Sequence, residues 1–118
     1  MVTPDERAEK VFRCPALTTI KVVSGKWKTR ILWLLCERPY GFNELRRALP
    51  GVSAKVLSAQ IAQLEEARFV LKTMVPRDGQ VFADVSYSSY GLSLIPILDA
   101  LGNWGLEHQE RMASHDAS

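Results

Sequence analysis

The sequence predicts a mostly helical α+β domain with one small β-hairpin, and three observations carry that prediction. Apolar residues recur at helical spacing over residues 26–37, 53–67 and 89–112. Two runs rich in β-branched and aromatic residues, 69–75 and 81–87, flank Asp78-Gly79, a dipeptide favoured in tight hairpin turns. The 118 residues are 47% apolar and 24% charged, which suits one domain that buries its own core without metal or disulfide help.

Each element follows from local chemistry. Residues 4–12 read as a short helical lead. Cys14-Pro15 opens the next helix, because proline suits the first helical position, and that helix ends near Ser24-Gly25. Residues 26–37 are apolar nearly all round (Trp27, Ile31, Leu32, Trp33, Leu34, Leu35, Cys36), the pattern of a central, buried helix. Pro39-Tyr40-Gly41 stops it. Residues 43–49 form a short helix with Leu45 and Leu49 inward. Pro50-Gly51-Val52 is a tight turn, and Ser53 caps a longer helix running to about residue 67, with Leu57, Ile61 and Leu64 as its core stripe. Short helix, tight turn, longer helix is the plan of a helix-turn-helix. The hairpin must pack on the helices, since two strands alone are marginal. Residues 89–112 return to helix. The chain reads as one domain over 1–118, with no interdomain linker or repeat.

Charge is unevenly spread. Residues 14–47 hold seven basic groups against two acidic ones, a net +5, whereas residues 89–118 hold one against four, a net −3. The basic part suits an anionic partner. On the helix over 53–67, Ile61 and Leu64 lie within about 40° of Leu57 and face the core. The opposite side carries Lys55, Ser58, Ala59 and Ala62, with Gln63 at its edge and Glu66 in the last turn. Small and hydrogen-bonding residues suit close approach to base edges: alanine touches a thymine methyl, glutamine pairs with adenine, lysine reaches guanine or phosphate. A C-terminal helix docked over the alanines would explain them equally well. Ser53, Lys55, Ser58, Ala59, Gln60 and Gln63 are therefore the candidate readers of double-stranded DNA. Lys72, Arg77 and Gln80, on or near the hairpin tip, are candidates for contacts made by a wing. Lys26, Arg46 and Arg47 are candidates for phosphate contacts that set register.

The runs Cys14-Pro15, Ser24-Gly25-Lys26-Trp27-Lys28, Phe42-Asn43-Glu44-Leu45-Arg46-Arg47, Leu49-Pro50-Gly51-Val52-Ser53, Lys55-Val56-Leu57-Ser58 and Pro96-Ile97-Leu98-Asp99-Ala100-Leu101, with Trp104-Gly105, resemble the HxlR-type winged helix-turn-helix transcriptional regulators, relatives of the MarR class. The resemblance covers roughly residues 13–105 in order. It implies a dimeric DNA-binding repressor or activator with a recognition helix and a wing, paired through its terminal helices. The family carries glycine where Arg68 stands, which would serve as a left-handed cap, so Arg68 is expected either to manage without glycine there or to end the helix differently. It carries arginine where Ala62 stands, and its strand-to-helix connection is longer than residues 87–91, where Ser88 or Ser89 is expected to cap the last helix.

Cys36 sits in an apolar run and reads as a packed side chain. Cys14 precedes a helix start with Lys10 and Arg13 nearby, an environment that favours a reactive thiol. Family members similar at this position use the cysteine to sense oxidants or electrophiles, so Cys14 is a candidate redox sensor; the competing reading is a buried anchor for the first helix. An oxidant effector follows from the first reading, and a small-molecule effector would follow from a pocket at the dimer interface. His108 and His115 match no metal-ligand spacing, and no nucleophile triad, phosphate loop or paired carboxylates stand out, so neither an enzyme nor a cofactor is expected. Leu92, Leu94, Ile95, Ile97, Leu98, Leu101, Trp104 and Leu106 together exceed what one small core covers, so the terminal helices (about 5–23 and 89–112) are expected to form a homodimer on a pseudo-palindromic site, with Leu94, Leu98, Leu101 and Trp104 at the interface. The alternative is a winged helix that binds protein, or DNA without sequence preference. No run of 18 apolar residues and no apolar leader are present, so no membrane partner and a cytoplasmic setting are expected.

Overall fold

The computed structural model of the chain describes residues 1–117, with side chains through residue 115. Helix α1 (Pro4–Glu9) is capped by the Thr3 hydroxyl and buries nothing. A 3-10 turn (Val11–Arg13) leads to α2 (Pro15–Val23), which starts on its proline and buries only Val23. Helix α3 (Lys28–Leu35) is shorter than its apolar run and buries Ile31, Leu32 and Leu35. It is central on one side only. Trp33 is 50% exposed, and its outward face lies against Gly102, where a methyl group would overlap the indole.

Residues expected only to stop α3 do more. Tyr40–Gly41 forms a strand, β1, pairing Tyr40 with Val85 and Gly41 with Asp84. Helix α4 (Phe42–Ala48) follows at once, held at its start by the Gly41 N–H donating to Glu44 Oε1 at 3.0 Å. Leu45 and Leu49 are buried, as their spacing predicts. Gly51 takes a left-handed φ of 92° in the turn to α5 (Ala54–Glu66). The Ser53 hydroxyl accepts from the Val56 N–H at 3.1 Å, and Leu57, Ile61 and Leu64 are buried.

At the end of α5, Arg68 manages without glycine. It adopts the left-handed conformation itself, at φ 67°. The Phe69 N–H reaches the Leu64 carbonyl at 3.0 Å and the Arg68 N–H reaches Glu65 at 2.9 Å, the paired bonds that close a helix through a left-handed residue. An L side chain costs about 1–2 kcal/mol there. Arg68→Gly is therefore expected to raise stability by about 1 kcal/mol, read as a higher midpoint in urea.

Strands β2 (Val70–Arg77) and β3 (Gln80–Tyr87) are antiparallel around a two-residue turn, with Asp78 at φ 51° and Gly79 at φ 78°, the primed turn that Asp-Gly favours. The sheet order is β1-β3-β2, so β2 is an edge and tolerates Pro76. A 3-10 turn (Gly91–Leu94) precedes α6 (Ile95–Ala117). Ser88, not Ser89, caps the turn: its hydroxyl accepts from the Gly91 N–H at 2.9 Å and donates to the Arg68 carbonyl at 2.6 Å. Leu94 and Leu98 correct the expected dimer interface. Both are buried in the chain's own core (Leu98 is 1% exposed), because the 3-10 turn and first turn of α6 pack inward. Leu101 and Trp104, further along α6, are exposed. No helix among the described residues is long and apolar enough to cross a membrane.

Candidate nucleic-acid interface

Core burial of Leu57, Ile61 and Leu64 fixes the rotation of α5 and hence what it presents outward. Ser53, Lys55, Ser58, Ala59, Ala62 and Gln63 are exposed, and Gln60 is half-buried. No part of the described chain covers Ala59 or Ala62, so the docked-helix explanation for the alanines is not realised within one subunit. The first carboxylate near this face, Glu65, is tied to Lys72 at 3.3 Å. Lys55 makes no ion pair among the described residues and its ammonium is open to a partner.

The phosphate candidates surround the turn between α4 and α5. Arg46 and Arg47, in the last turn of α4, are exposed and line a shallow recess with Asn43, Gly51 and Val52. Trp27 abuts that turn, its ring 3.9 Å from the position a Cβ on Gly51 would take. Lys26 lies over the same ring, 4.8 Å from its centroid. Lys26, twenty residues before the adjacent pair Arg46 and Arg47, is thus brought beside the same helix-turn-helix.

The wing candidates are placed differently from one another. Gln80 flanks the turn at the tip, paired with Arg77. Lys72 is not near the tip; it sits toward the base of β2 and points back to Glu65 of α5. Arg77 starts at the tip but its guanidinium folds back to Asp84 at 2.6 Å. Asp84 was not singled out from sequence, although a two-residue turn places residues 73, 75 and 77 and their partners 84, 82 and 80 on one face of the hairpin. Arg38 was also missed. It stacks on Tyr40, 3.8 Å from the ring centroid, and bonds Glu44 at 3.0 Å. The Gly41 N–H, and after it Arg38, hold the Glu44 carboxyl below the usual carboxylate range.

Cys14 is half-buried at the start of α2, in a small, largely apolar recess lined by Val2, Glu6, Arg7, Lys10, Val11, Pro15 and Ala16. Arg13, named beside it in sequence, is not among the residues lining that recess. The Cys36 thiol instead bonds the Leu32 carbonyl at 3.3 Å and lies 3.6 Å from the Tyr87 hydroxyl. That hydroxyl donates to Leu32 at 2.6 Å, and burial, with Cys36 alongside, pushes it well above the ordinary tyrosine range. His108 stacks on Trp104 at 4.9 Å. Among the described residues no three His, Cys, Asp or Glu side chains converge as metal ligands would.

Comparison with known proteins agrees with this arrangement. The HxlR-like helix-turn-helix family matches residues 22–113. The uncharacterized HTH-type transcriptional regulator YdzF of Bacillus subtilis (strain 168) is 35% identical over 95 residues, covering 80% of this chain and 86% of its own. YkvN, also described as an uncharacterized HTH-type transcriptional regulator from the same strain, is 36% identical over 104 residues, covering 86% of each. Among solved structures, the redox regulator HypR in its reduced form superposes with a TM-score of 0.76 at 26% identity, covering 86% of this chain and 99% of that one. The putative HTH-type regulator ytcD superposes at 0.71 with 31% identity, covering 82% and 98%. The outward face of α5, the antiparallel wing and these likenesses agree: the chain belongs to the HxlR-like helix-turn-helix family and is a winged helix-turn-helix transcriptional regulator.

Proposed function

We propose that the chain binds double-stranded DNA sequence-specifically as a homodimer on a pseudo-palindromic site, and that Cys14 makes this binding responsive to oxidants or electrophiles. The observation that carries the first part is the outward face of α5, uncovered and without a carboxylate over its first three turns. Base readout by Lys55, Ser58, Ala59 and Gln63, with Gln60 and the capping Ser53 alongside, follows from that face, and phosphate contacts by Arg46, Arg47 and Lys26 follow from their places on α4 and beside the turn into α5. Retention of genomic fragments at about 0.15 M salt, with sequencing, tests it. An inverted repeat is the expected result; salt-sensitive binding without a motif would leave only the non-specific alternative.

The dimer reading rests on apolar surface the subunit leaves open. Leu101, Trp104 (68% exposed), Leu106 and Met112 lie along α6, and Val11, Phe12 (98% exposed), Leu17 and Ile20 lie along the N-terminal segment. Surface of this kind marks an interface, and a two-fold pair would set two recognition helices one DNA turn apart. Leu101→Glu combined with Trp104→Glu is expected to give a folded monomer by sedimentation that binds the site at least about tenfold more weakly. A stable dimer in that variant would place the interface elsewhere.

The redox reading rests on the recess around Cys14 and on the likeness to HypR, described as a redox regulator. The two Cys14 thiols of a dimer would join as a disulfide while diamide takes up the two electrons and two protons released. Diamide is expected to abolish operator binding by the reduced wild type and to leave Cys14→Ser unaffected. Equal loss in both proteins, or loss in neither, removes Cys14 as the sensor.

A further inference from the structure

We propose that Asp84 masks the wing's charge, holding Arg77 away from DNA phosphates and so suppressing sequence-independent binding. The role of Asp84 rests on the duplex-binding reading above. Between residues 70 and 87 the only cations are Lys72 and Arg77 and the only anions are Asp78 and Asp84, so the wing is neutral overall. Both cations are already engaged: Lys72 with Glu65 on α5, and Arg77 with Asp84 on its own face of the hairpin. What remains at the tip is Asp78, without an ion pair among the described residues, and its charge repels phosphate.

The restraint on Arg77 is asymmetric. The Asp84 side chain is only 14% exposed and its Oδ1 is buried without a hydrogen-bond partner among the described residues, whereas Arg77 is 46% exposed. A buried carboxylate with one cationic partner binds that partner firmly, because losing it would leave an uncompensated charge. Glu44 deepens the local negative potential. The position a Cβ would take on Gly41 lies 3.4 Å from both Asp84 Oδ1 and Glu44 Oε1, so the carboxylates face each other across that glycine. Arg38 answers Glu44, and Arg77 answers Asp84. Charge elsewhere is arranged differently: Arg46, Arg47 and Lys55, on the helix-turn-helix, carry no counter-ion among the described residues. Electrostatic affinity is thus concentrated where bases are read and withheld from the wing.

The test is Asp84→Asn, which keeps shape and an acceptor but removes the charge. It is compared with wild type and with Asp84→Asn/Arg77→Gln on a scrambled duplex across a salt series. Asp84→Asn is expected to bind the scrambled duplex more tightly, on the order of fivefold at ~0.1 M salt, with a log–log salt slope steeper by about 0.9, the signature of one added phosphate contact. The double variant is expected to return to the wild-type slope, showing that the gain acts through Arg77; thermal melts confirm that all three fold. Unchanged affinity and slope in Asp84→Asn would overturn the masking role, as would weaker binding, which would mean that Asp84 aims Arg77 at a phosphate. Wild-type protein with no salt-dependent duplex binding would instead defeat the duplex-binding reading itself.

Discussion

Gly91→Ala is expected to cost about 3 kcal/mol or more of folding stability, the largest effect of a methyl group added at any of the chain's glycines. A Cβ at this position would lie 1.9 Å from the Phe69 carbonyl oxygen and 2.9 Å from both the Phe69 carbonyl carbon and the Tyr87 ring. The obstruction is backbone, and that backbone is committed. The Phe69 carbonyl accepts from the Ser88 N–H at 2.9 Å, while the Ser88 hydroxyl bridges the Arg68 carbonyl and the Gly91 N–H. Phe69 and Tyr90 stack beside the crossing at 5.2 Å. The end of α5, the base of the wing and the start of α6 meet here, so displacing Phe69 breaks a bond and moves three elements. Gly102→Ala is the control. Its Cβ would come within 2.2 Å of Trp33, but the obstacle is a half-exposed ring that can swing outward, and a loss near 1 kcal/mol is expected. Urea unfolding of the two variants measures the difference; equal losses would show that the Gly91 crossing yields as easily as a side chain.

Lys55→Ala combined with Gln63→Ala is expected to weaken binding to the cognate duplex by about 2–6 kcal/mol per half-site while leaving stability within about 0.5 kcal/mol. Each side chain is exposed, and neither takes part in an ion pair among the described residues, so the fold loses little. Eight positions apart on a helix, the two lie about 12 Å from one another, far enough for the separate losses to add. The sequence preference should relax at two positions of each half-site. Arg46→Ala with Arg47→Ala is the contrast: phosphate contacts should weaken all duplexes alike and flatten the salt slope, leaving the preferred sequence unchanged.

Local patterning made α5 and the wing readable from sequence. A serine cap, an apolar stripe at Leu57, Ile61 and Leu64, and Asp78-Gly79 between two β-rich runs each state a local preference that tertiary packing did not override. Strand β1 was not readable, because two residues carry no period and Tyr40 and Gly41 become a strand only when β3 lies beside them. The apolar stripe of the last helix was readable, but its partners were not: Leu94 and Leu98 turn inward while Leu101 and Trp104 face out, a division set by the 3-10 turn at Gly91–Leu94. How Arg68 ends α5 was open in the sequence, because a left-handed helix end looks like a glycine position; the Leu64–Phe69 bond and the Ser88 hydroxyl hold a bulkier residue there. The residues reaching outward from α5 followed from helix rotation alone. The pairing of Arg77 with Asp84 required the hairpin's register.

Sequencing the genomic DNA retained by wild type and by Lys55→Ala/Gln63→Ala, side by side at the same salt, tests most directly whether α5 reads bases. An inverted repeat recovered with wild type and lost from the variant, with bulk salt-dependent binding kept, is the predicted result. The same repeat recovered at equal enrichment from both would contradict it, and would move recognition away from the outward face of α5.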